Sequence, residues 1–346
     1  MSQFLSRCQF FCGAMPQTAL NPGPGPGFMA PMDDNVKLTQ APWPQRRFKS
    51  LSLVSGSSPY EDTALNRHTM TSTNPLATDL LVFIGGGNMA SAILGGLLRQ
   101  GHPPQQVLVV DPDAAIRQSL LQRMGVNVLA APDATLRQAT QVIWAIKPQH
   151  FKIAAAQASP FTAGALHLSV AAGIRSDSIS QWLGSERIVR AMPNTPALVG
   201  LGQTGLYARA AVSPAERQWV QQVLGSTGAC LWLAQESQLD AVTALSGSGP
   251  AYVFYFIEAM VHAGQAMGLS AEQSQQLAIG TFVGASELAR ASTEPPSVLR
   301  ERVTSKGGTT HAALSALEHE QVAQAFERAM HAACARAKTL GEEFGR

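Results

Sequence analysis

From Leu80 onward, short runs of apolar and β-branched residues alternate with longer stretches in which apolar residues recur at helical spacing. This alternation is typical of β-α-β units, because two parallel strands need a crossover connection that packs back on the sheet. Parallel strands are covered on both faces, so they read as continuous apolar runs. The pattern therefore predicts an α/β fold with a doubly wound sheet. The predicted strands are Leu80–Ile84, Val107–Val110, Val126–Leu129, Val142–Ile146, Leu166–Val170 and Ile188–Met192, with Thr204–Tyr207 and Ala229–Leu233 extending the sheet.

After Gln235 the β-branched runs end, and the chain becomes rich in Ala, Leu, Gln and Glu at helical spacing. Such spacing gathers the apolar residues on one face of each helix. We therefore predict that residues 236–346 form an all-helical second domain, which follows a sheet domain at residues 79–235. The main predicted helices of the second domain are Ala251–Met267, Ala271–Arg290 and Gln321–Leu340.

Residues 1–78 have a different character, because proline and glycine alternate over Asn21–Gly27 and no helix or strand period is sustained. Proline removes a backbone donor and glycine adds chain entropy, so such a segment buries too little apolar surface to offset its ordering. We predict a disordered tail. Its first residues show only a weak similarity to a targeting peptide, and a chain that began at Met70 would keep every predicted element.

The charge balance and the cysteines exclude several classes of partner. The chain has 25 Lys and Arg against 23 Asp and Glu, which gives a formal net charge of +2. This small charge gives no excess of basic residues that would indicate nucleic-acid binding. Polar residues interrupt every apolar stretch before the roughly 20 residues that a membrane-spanning helix needs. Cys8, Cys12, Cys230 and Cys334 suggest neither a disulfide framework nor a metal site. We expect a cytoplasmic protein with neither a nucleic-acid nor a membrane partner.

The segment Gly85-Gly-Gly-Asn-Met-Ala90 follows the first predicted strand and opens a predicted helix at Met89–Arg99. This G-x-G-x-x-A spacing, in this context, matches the dinucleotide-binding fingerprint of Rossmann-like domains. Gly85 would permit a tight turn, and Gly87 would let a pyrophosphate approach the backbone. The helix N-terminus adds N–H donors and the positive end of the helix dipole. The candidate cofactor contacts in this segment are Gly85, Gly87, Asn88 and Met89.

The second predicted strand is followed by Asp111, which bears on the choice of cofactor. A carboxylate at this point accepts hydrogen bonds from ribose hydroxyls and repels a 2′-phosphate, which favours NAD. Asp111 and Asp113 also precede the predicted helix Ala114–Met124, where Asp is a preferred cap, and the two roles are compatible. Arg117 on that helix is able to swing toward a phosphate, so NADP stays open as well.

Three further strand ends carry small or proline-containing turns, namely Ala145-Ile-Lys-Pro148, Val170-Ala-Ala-Gly173 and Met192-Pro-Asn-Thr-Pro196. In an open α/β sheet the ligand crevice lies outside the carboxyl ends of the strands. Each turn alone is typical of an ordinary loop between a strand and the next element. The three turns together predict the nicotinamide side of the pocket. The candidate cofactor contacts here are Ala145, Lys147, Pro148, Ala171, Ala172 and Asn194.

Two glycine-containing segments precede predicted helices in the second domain, Ser246-Gly-Ser-Gly-Pro250 and Thr304-Ser-Lys-Gly-Gly-Thr-Thr310. The second segment combines two glycines with four hydroxyl residues, which makes a nest of N–H donors suited to a carboxylate. On composition alone, it is equally typical of a capped turn.

Five motifs between about residue 81 and residue 340 point to one family. They are Phe83-Ile-Gly-Gly-Gly-Asn-Met-Ala90, Ala145-Ile-Lys-Pro148, Arg190-Ala-Met-Pro-Asn-Thr-Pro196, Asp240-Ala-Val-Thr-Ala-Leu-Ser-Gly-Ser-Gly-Pro-Ala-Tyr252 and Val303-Thr-Ser-Lys-Gly-Gly-Thr-Thr310. In this order they resemble the motifs of pyrroline-5-carboxylate reductase, the last enzyme of proline biosynthesis. The first motif is shared by many reductases, whereas the last two are specific to this family.

The resemblance implies hydride transfer from NADPH or NADH to the imine carbon of Δ1-pyrroline-5-carboxylate, which gives L-proline. It implies that Ser305 and the backbone N–H groups of Gly308, Thr309 and Thr310 hold the substrate carboxylate, while the Thr310 hydroxyl approaches the ring nitrogen. A protonated iminium accepts hydride more readily, so a proton must be held or delivered there. Our hypothesis is that Thr310 or a water molecule does this.

Glu294 stands at the position where the family has an acid on the substrate side. An equally good interpretation is that Glu294 is an exposed residue with no role in the site, because it precedes a Pro-Pro pair. The chain departs from the family at Arg302, where Asn is common, and at Asp111, where NADP-preferring members have a small polar residue. Both cofactors therefore stay open. The resemblance further implies a homodimer with interlocking helical domains, in which the Ser305–Thr310 segment completes the site of the other subunit, and assembly of dimers into decamers.

Other functions are compatible with a two-domain dinucleotide protein. Reductases of the 6-phosphogluconate and 3-hydroxyisobutyrate dehydrogenase type share this architecture, but they use a lysine on the helical domain, and residues 240–300 contain none. A non-catalytic dinucleotide sensor would bind NAD(P)H without reducing an imine. A six-membered cyclic imine is a further candidate substrate.

Overall fold

The computed structural model describes residues 80–345, so the tail predicted at residues 1–78 lies outside the described residues. Its eight strands are β1 (Leu80–Ile84), β2 (Val107–Val110), β3 (Asn127–Leu129), β4 (Ala139–Trp144), β5 (Leu166–Ser169), β6 (Ile188–Met192), β7 (Gly202–Ala208) and β8 (Gly228–Trp232). They form one sheet in the order β3-β2-β1-β4-β5-β6-β7-β8. Neighbouring strands are parallel except β6 and β7, which are antiparallel. The predicted α/β fold with a Rossmann-like doubly wound sheet is confirmed.

Helices cover both faces of the sheet, which explains why its strands are apolar at consecutive positions. In β1, Leu81 and Phe83 belong to one core cluster, whereas Val82 and Ile84 belong to the other. The helices of this domain are α1 (Asn88–Arg99), α2 (Ala114–Met124), α3 (Pro148–Thr162), α4 (Ser176–Leu183) and α5 (Pro214–Gly225). The first cluster contains residues of α1, α2 and α5, and the second contains residues of α3 and α4.

The segment after β8 is helical to its end, as predicted. Its helices are α6 (Gln238–Val242), α7 (Gly249–Ala266), α8 (Ala271–Ala291), α9 (Pro296–Arg302), α10 (Thr309–His319) and α11 (Val322–Phe344). A π-helical turn at Thr243–Gly247 joins α6 to α7. Within residues 80–345, no helix has the length and apolar character required to cross a bilayer.

The C-terminal end of α11 returns to the sheet domain. The Ser178 hydroxyl of α4 donates a hydrogen bond of 2.7 Å to the Gly345 carbonyl. Gly341 packs so closely on the turn after β5 that an added Cβ would lie 2.7 Å from the Gly173 carbonyl oxygen. The last helix therefore spans from the helical segment back to α4.

Partly buried ion pairs join the start of the helical segment to the sheet. Arg190 on β6 donates to Glu236 at 2.7 Å, and the same carboxylate accepts bonds from the backbone N–H and the hydroxyl of Ser176 at 2.6 and 2.8 Å. Arg175 donates to Asp240 on α6 at 2.8 Å. Burial lowers the pKa of Arg190, and the adjacent Glu236 opposes that effect. Because buried charges are stable only when paired, these contacts fix where α6 begins.

A buried histidine lies in the middle of the sheet. His167 on β5 is fully buried, and its Nδ1 accepts a hydrogen bond of 3.2 Å from the indole N–H of Trp144 on β4. Burial is the main cause that lowers its pKa to about 4, with a smaller contribution from the charge of Arg187. The imidazole is therefore neutral in the folded protein at neutral pH.

We predict that His167 makes stability depend on pH. In the unfolded chain its pKa is about 6.5, so between pH 6.5 and about 4 the unfolded state binds a proton that the folded state does not. The stability present above pH 6.5 is lost across this window, by up to about 3 kcal/mol. His167→Asn keeps an acceptor for Trp144 and should reduce this loss when unfolding is measured in urea from pH 7 to pH 4. An equal pH dependence in both proteins would contradict the prediction.

Candidate functional site

A cavity of about 520 Å³ lies at the carboxyl ends of β1, β2 and β4. In the strand order, β1 is flanked by β2 on one side and by β4 on the other, so the chain reverses its winding direction here. Ligands of open α/β sheets bind at such a switch point. The cavity is lined by Ile84, Gly85, Gly87, Val110, Asp111, Pro112, Ile116, Ala130, Pro132, Ala145, Ile146, Lys147, His150, Ile153, Ala154 and Gln157.

The turn after β1 fits against both neighbouring strands. Gly85 has a φ of +97°, which favours glycine, and its N–H donates to the Val110 carbonyl at 2.8 Å. A Cβ at this position would lie 2.5 Å from the Ala145 carbonyl oxygen. Glycine is therefore required at this position by conformation and by space.

The next two glycines of the turn face different surroundings. A Cβ at Gly86 would lie 2.7 Å from Leu120 and 2.8 Å from Ile116, so this residue packs directly on α2. A Cβ at Gly87 would have no atom within 4 Å. Gly87 precedes α1, which begins without a side-chain cap, so the first N–H groups of that helix have no partner within it. This arrangement suits an anionic ligand.

Asp111 is buried in the cavity wall, with 7% of its surface exposed. Its Oδ2 accepts a bond of 2.8 Å from the Gly86 N–H, and its Oδ1 accepts one of 2.9 Å from the Asp113 N–H. Asp113 caps α2, because its carboxylate accepts bonds from the N–H groups of Ala115 and Ile116. The interpretation of Asp111 as the helix cap is therefore corrected. Asp111 instead holds the glycine turn against the end of β2.

The cavity brings together five of the predicted cofactor contacts and leaves six outside its lining. Gly85, Gly87, Asp111, Ala145 and Lys147 line it. Asn88 and Met89 begin α1, and Pro148 begins α3. Ala171 is buried in the second core cluster and Ala172 is half-buried.

Asn194, the remaining candidate, lies elsewhere and joins two loops. Its side-chain N–H donates to the Ser246 carbonyl at 3.1 Å, and its Oδ1 accepts a bond of 2.9 Å from the Gln203 N–H. It borders a second cavity, of about 780 Å³, beside α7, α8 and α11. The buried amide thus fixes the loop after β6 against the π-helical turn.

Sequence reasoning missed one wall of the first cavity. His150, Ile153, Ala154 and Gln157 on α3 line it, and they lie at positions i, i+3, i+4 and i+7. Residues at this spacing share one face of a helix. Ile153 lies off the apolar face that Phe151, Ala155 and Ala158 form on this helix, and an apolar residue at that position was a sequence signal that could have indicated the wall.

The predicted substrate-binding residues lie at the start of α10. Gly308 precedes the helix without a side-chain cap, and its N–H donates to the Ser305 carbonyl at 3.0 Å. Thr309 and Thr310 are the first residues of α10, so their N–H groups have no intrahelical partner. None of Ser305, Gly308, Thr309 and Thr310 lines the cavity at the switch point of the sheet or the cavity beside Asn194.

Glu294, the other substrate-side candidate, pairs with the residue at which the chain departs from the family pattern. Its carboxylate accepts a bond of 2.7 Å from Arg302. The carboxylate is about one-third exposed, and Arg302 is exposed. Arg302 therefore contacts an acid in the same copy.

Comparisons with known proteins agree along the described chain. Residues 236–340 match the pyrroline-5-carboxylate reductase dimerisation family, and residues 80–173 match the family of coenzyme F420-dependent NADP oxidoreductases. A pyrroline-5-carboxylate reductase of Pseudomonas aeruginosa is 41% identical over 272 residues, which are 78% of this chain and 100% of the relative. A pyrroline-5-carboxylate reductase of pea (Pisum sativum) is 36% identical over 269 residues, 77% of this chain and 98% of the relative.

Solved structures give the same result. The pyrroline-5-carboxylate reductase of Coxiella burnetii is 35% identical and has a TM-score of 0.71, covering 76% of this chain and 98% of the other. The pyrroline carboxylate reductase of Plasmodium falciparum, solved with NADP bound, is 29% identical with a TM-score of 0.69 and the same coverage.

We predict that two glycines of the turn differ in their tolerance of a methyl group. Gly85→Ala should lower the free energy of unfolding by about 3 kcal/mol, because it combines an unfavourable φ with a backbone clash. Gly87→Ala should change it by less than about 1 kcal/mol, because φ is ordinary and the space is open. Urea unfolding of both variants checks this, and equal destabilisation would contradict the assigned turn geometry.

Proposed function

The chain belongs to the pyrroline-5-carboxylate reductase family, and on this premise we infer that it reduces the imine carbon of Δ1-pyrroline-5-carboxylate with NAD(P)H to give L-proline, the last step of proline biosynthesis. The observation that carries this inference is the 41% identity to a reductase of this name over that relative's full length. The cavity at the switch point of the sheet supports it, because a dinucleotide fits its residues.

That fit rests on the contacts of the glycine turn. Gly87 leaves open space beside the uncapped start of α1, where N–H groups and the helix dipole favour a pyrophosphate. Asp111 lies at the end of β2, where this fold class holds the ribose of the adenosine half. A bound NAD(P)H supplies the hydride. Gly85, Gly87, Asn88, Met89 and Asp111 would hold its adenosine half, and Ala145, Lys147, Pro148, Ala171, Ala172 and Asn194 would lie toward the nicotinamide side.

The start of α10 is suited to the substrate carboxylate. The N–H groups of Thr309 and Thr310, together with the Ser305 hydroxyl, present donors at an uncapped helix N-terminus. Gly307 has a φ of +74°, which permits the turn that exposes them. Glu294 would lie on the substrate side, with Arg302 fixing its carboxylate.

These residues would act mainly by orientation. Fixing the imine carbon against the hydride donor converts an encounter into an effectively unimolecular step. A protonated imine is the better hydride acceptor, and the Thr310 hydroxyl, or a water molecule that it holds, would place a proton at the ring nitrogen. The chain's own groups thus bind, orient and protonate the substrate.

A complete site requires a second copy of the chain. The start of α10 lies outside the dinucleotide cavity in one copy, and the helical segment leaves large apolar side chains exposed. Tyr255 is 69% exposed, Met267 77% and Leu288 70%. A helix without a buried apolar face gains little stability in water, so these faces need a partner. We propose a homodimer in which α10 of one subunit completes the site of the other, assembly of dimers into decamers, and a cytoplasmic location, the last two on the family resemblance.

We predict that a charge on α8 breaks the dimer. Val283 is 60% exposed, and Val283→Glu would bury an unpaired carboxylate in the contact. In sedimentation, the unmodified protein should have at least twice the 36.6 kDa chain mass, and the variant should approach the single-chain mass and lose reductase activity. Ala215→Glu, which adds the same charge to an exposed site of α5, is the control. A monomeric unmodified protein, or an unchanged Val283→Glu dimer, would contradict the proposal.

The reductase activity is tested by following the loss of dihydronicotinamide absorbance with Δ1-pyrroline-5-carboxylate. We expect turnover with at least one of NADH and NADPH, and formation of L-proline. A six-membered imine carboxylate, assayed in parallel, should be a poorer substrate. Binding of either dinucleotide without any imine reduction would favour the sensor function instead.

We predict that Thr310→Ala lowers kcat/KM by about 100-fold, a typical contribution of a group that transfers or positions a proton. Thr310→Ser keeps the hydroxyl and should restore most of the activity. Ser315→Ala, an exposed change on the same helix, is the control for general effects on α10. An unchanged kcat/KM in Thr310→Ala would exclude a role for this hydroxyl.

A further inference from the structure

We propose that this reductase prefers NADH to NADPH and that Asp111 is the residue that sets the preference, an inference that rests on the function proposed above. The observation behind it is the placement of three charged groups relative to the end of β2. The carboxylate of Asp111 lies in the cavity wall, Arg117 of α2 donates to backbone carbonyls, and Lys147 of the cavity stands two strands away.

The carboxylate of Asp111 stands where the two cofactors differ. In this fold class the ribose of the adenosine half is held at the end of β2, and NADPH carries a phosphate on its 2′-oxygen. Asp111 follows β2 and lines the cavity. Its two oxygens accept bonds from the backbone N–H groups of Gly86 and Asp113, and none of the salt bridges within residues 80–345 includes it. Within residues 80–345, the carboxylate therefore forms no direct ion pair with a cationic side chain.

Arg117 is the residue that would have to accept a 2′-phosphate on α2, and its guanidinium is engaged. Its Nη1 donates to the carbonyl oxygens of Asp111 and Pro112 at 2.7 and 2.8 Å. Arg117 is also not among the residues that line the cavity. These two bonds hold Nη1 at backbone carbonyls outside the cavity lining, so a 2′-phosphate would have to recruit the Nη2 and Nε donors of a side chain that is anchored elsewhere, whereas a free 2′-hydroxyl needs no cation.

The lysine that lines the cavity stands on its other side. Lys147 follows β4, and β1 separates β4 from β2. Neighbouring strands are about 4.8 Å apart, so the ends of β2 and β4 are separated by roughly 10 Å. Lys147 is therefore suited to the pyrophosphate or the nicotinamide half, and the carboxylate of Asp111 is the charge beside the 2′-position.

The size of the effect follows from the charges. A 2′-phosphate carries a charge between about −1.5 and −2, and a carboxylate in contact with it should weaken binding at least about tenfold. The ribose hydroxyl of NADH instead donates a hydrogen bond to the same oxygens. We therefore expect kcat/KM to be at least about tenfold higher with NADH, mainly through KM, because the 2′-position is remote from the hydride.

The first test uses the full chain without any imine. NADH fluorescence reports bound cofactor, and the competitors are 5′-AMP and 2′,5′-ADP, which differ only in the 2′-phosphate. We expect 2′,5′-ADP to displace NADH at least about tenfold less effectively than 5′-AMP. Equal or stronger displacement by 2′,5′-ADP would overturn the proposal. If 2′,5′-ADP displaces NADH less effectively than 5′-AMP but the protein does not reduce Δ1-pyrroline-5-carboxylate, the cofactor preference is supported and the proposed function is contradicted.

The second test compares two aspartates of the same turn. Asp111→Asn removes the charge and keeps an acceptor for the Gly86 N–H, and it should shift the NADPH-to-NADH ratio of kcat/KM at least about tenfold toward NADPH. Asp113→Asn removes a charge from the exposed cap of α2, where Asn is an equally good cap, and should shift the ratio less than about threefold. An unchanged ratio in Asp111→Asn would overturn the proposal. If that variant does not fold, the competition of the two nucleotides with the unmodified protein still decides it.

Discussion

The buried ion pair between Arg190 and Glu236 fixes the relation of the helical segment to the sheet. Glu236 is the last acid before α6, and it also accepts two bonds from Ser176, so the carboxylate is held by β6 and α4 together. Leaving such a charge unpaired costs about 3–5 kcal/mol, which makes other placements of α6 unfavourable. The π-helical turn directly follows α6, and the Asn194 side chain donates to the Ser246 carbonyl within that turn.

The cavity at the switch point of the sheet results from a second constraint, which is the close approach of three strand ends. Gly85 lies between Val110 and Ala145, and no side chain fits there. The side chain of Asp111 has two effects at this cavity. Its carboxylate holds the glycine turn through the Gly86 N–H, and it puts a negative charge in the cavity wall at the end of β2. The hydrogen bond needs only an acceptor oxygen, whereas the proposed discrimination between cofactors needs the charge, so a substitution by Asn separates the two properties.

The helical segment is incomplete as a single copy. Its aromatic contacts, such as those of Phe326 with Tyr252 and Phe256, stabilise the meeting of α7 and α11, yet most large apolar residues of α7 and α8 face outward. The donors at the start of α10 line neither of the two cavities described above. The proposed partner subunit explains both observations, because the apolar surface of α7 and α8 and the donors of α10 belong to the same helical segment.

The sequence by itself determined the fold class, the central residues of the strands, the longer helices and the glycine turn, because these depend on local periodicity and on the conformational needs of single residues. The short helices α6 and α9 and the π-helical turn contain too few residues for a periodic signal, and they were not predicted. The tertiary structure decided what depends on residues far apart in the chain. It assigned the cap of α2 to Asp113 rather than Asp111, it brought one face of α3 into the cavity, and it paired Glu294 with Arg302. A hydrogen bond or an ion pair between distant residues leaves no periodic signal, so only the folded chain reveals which partners meet.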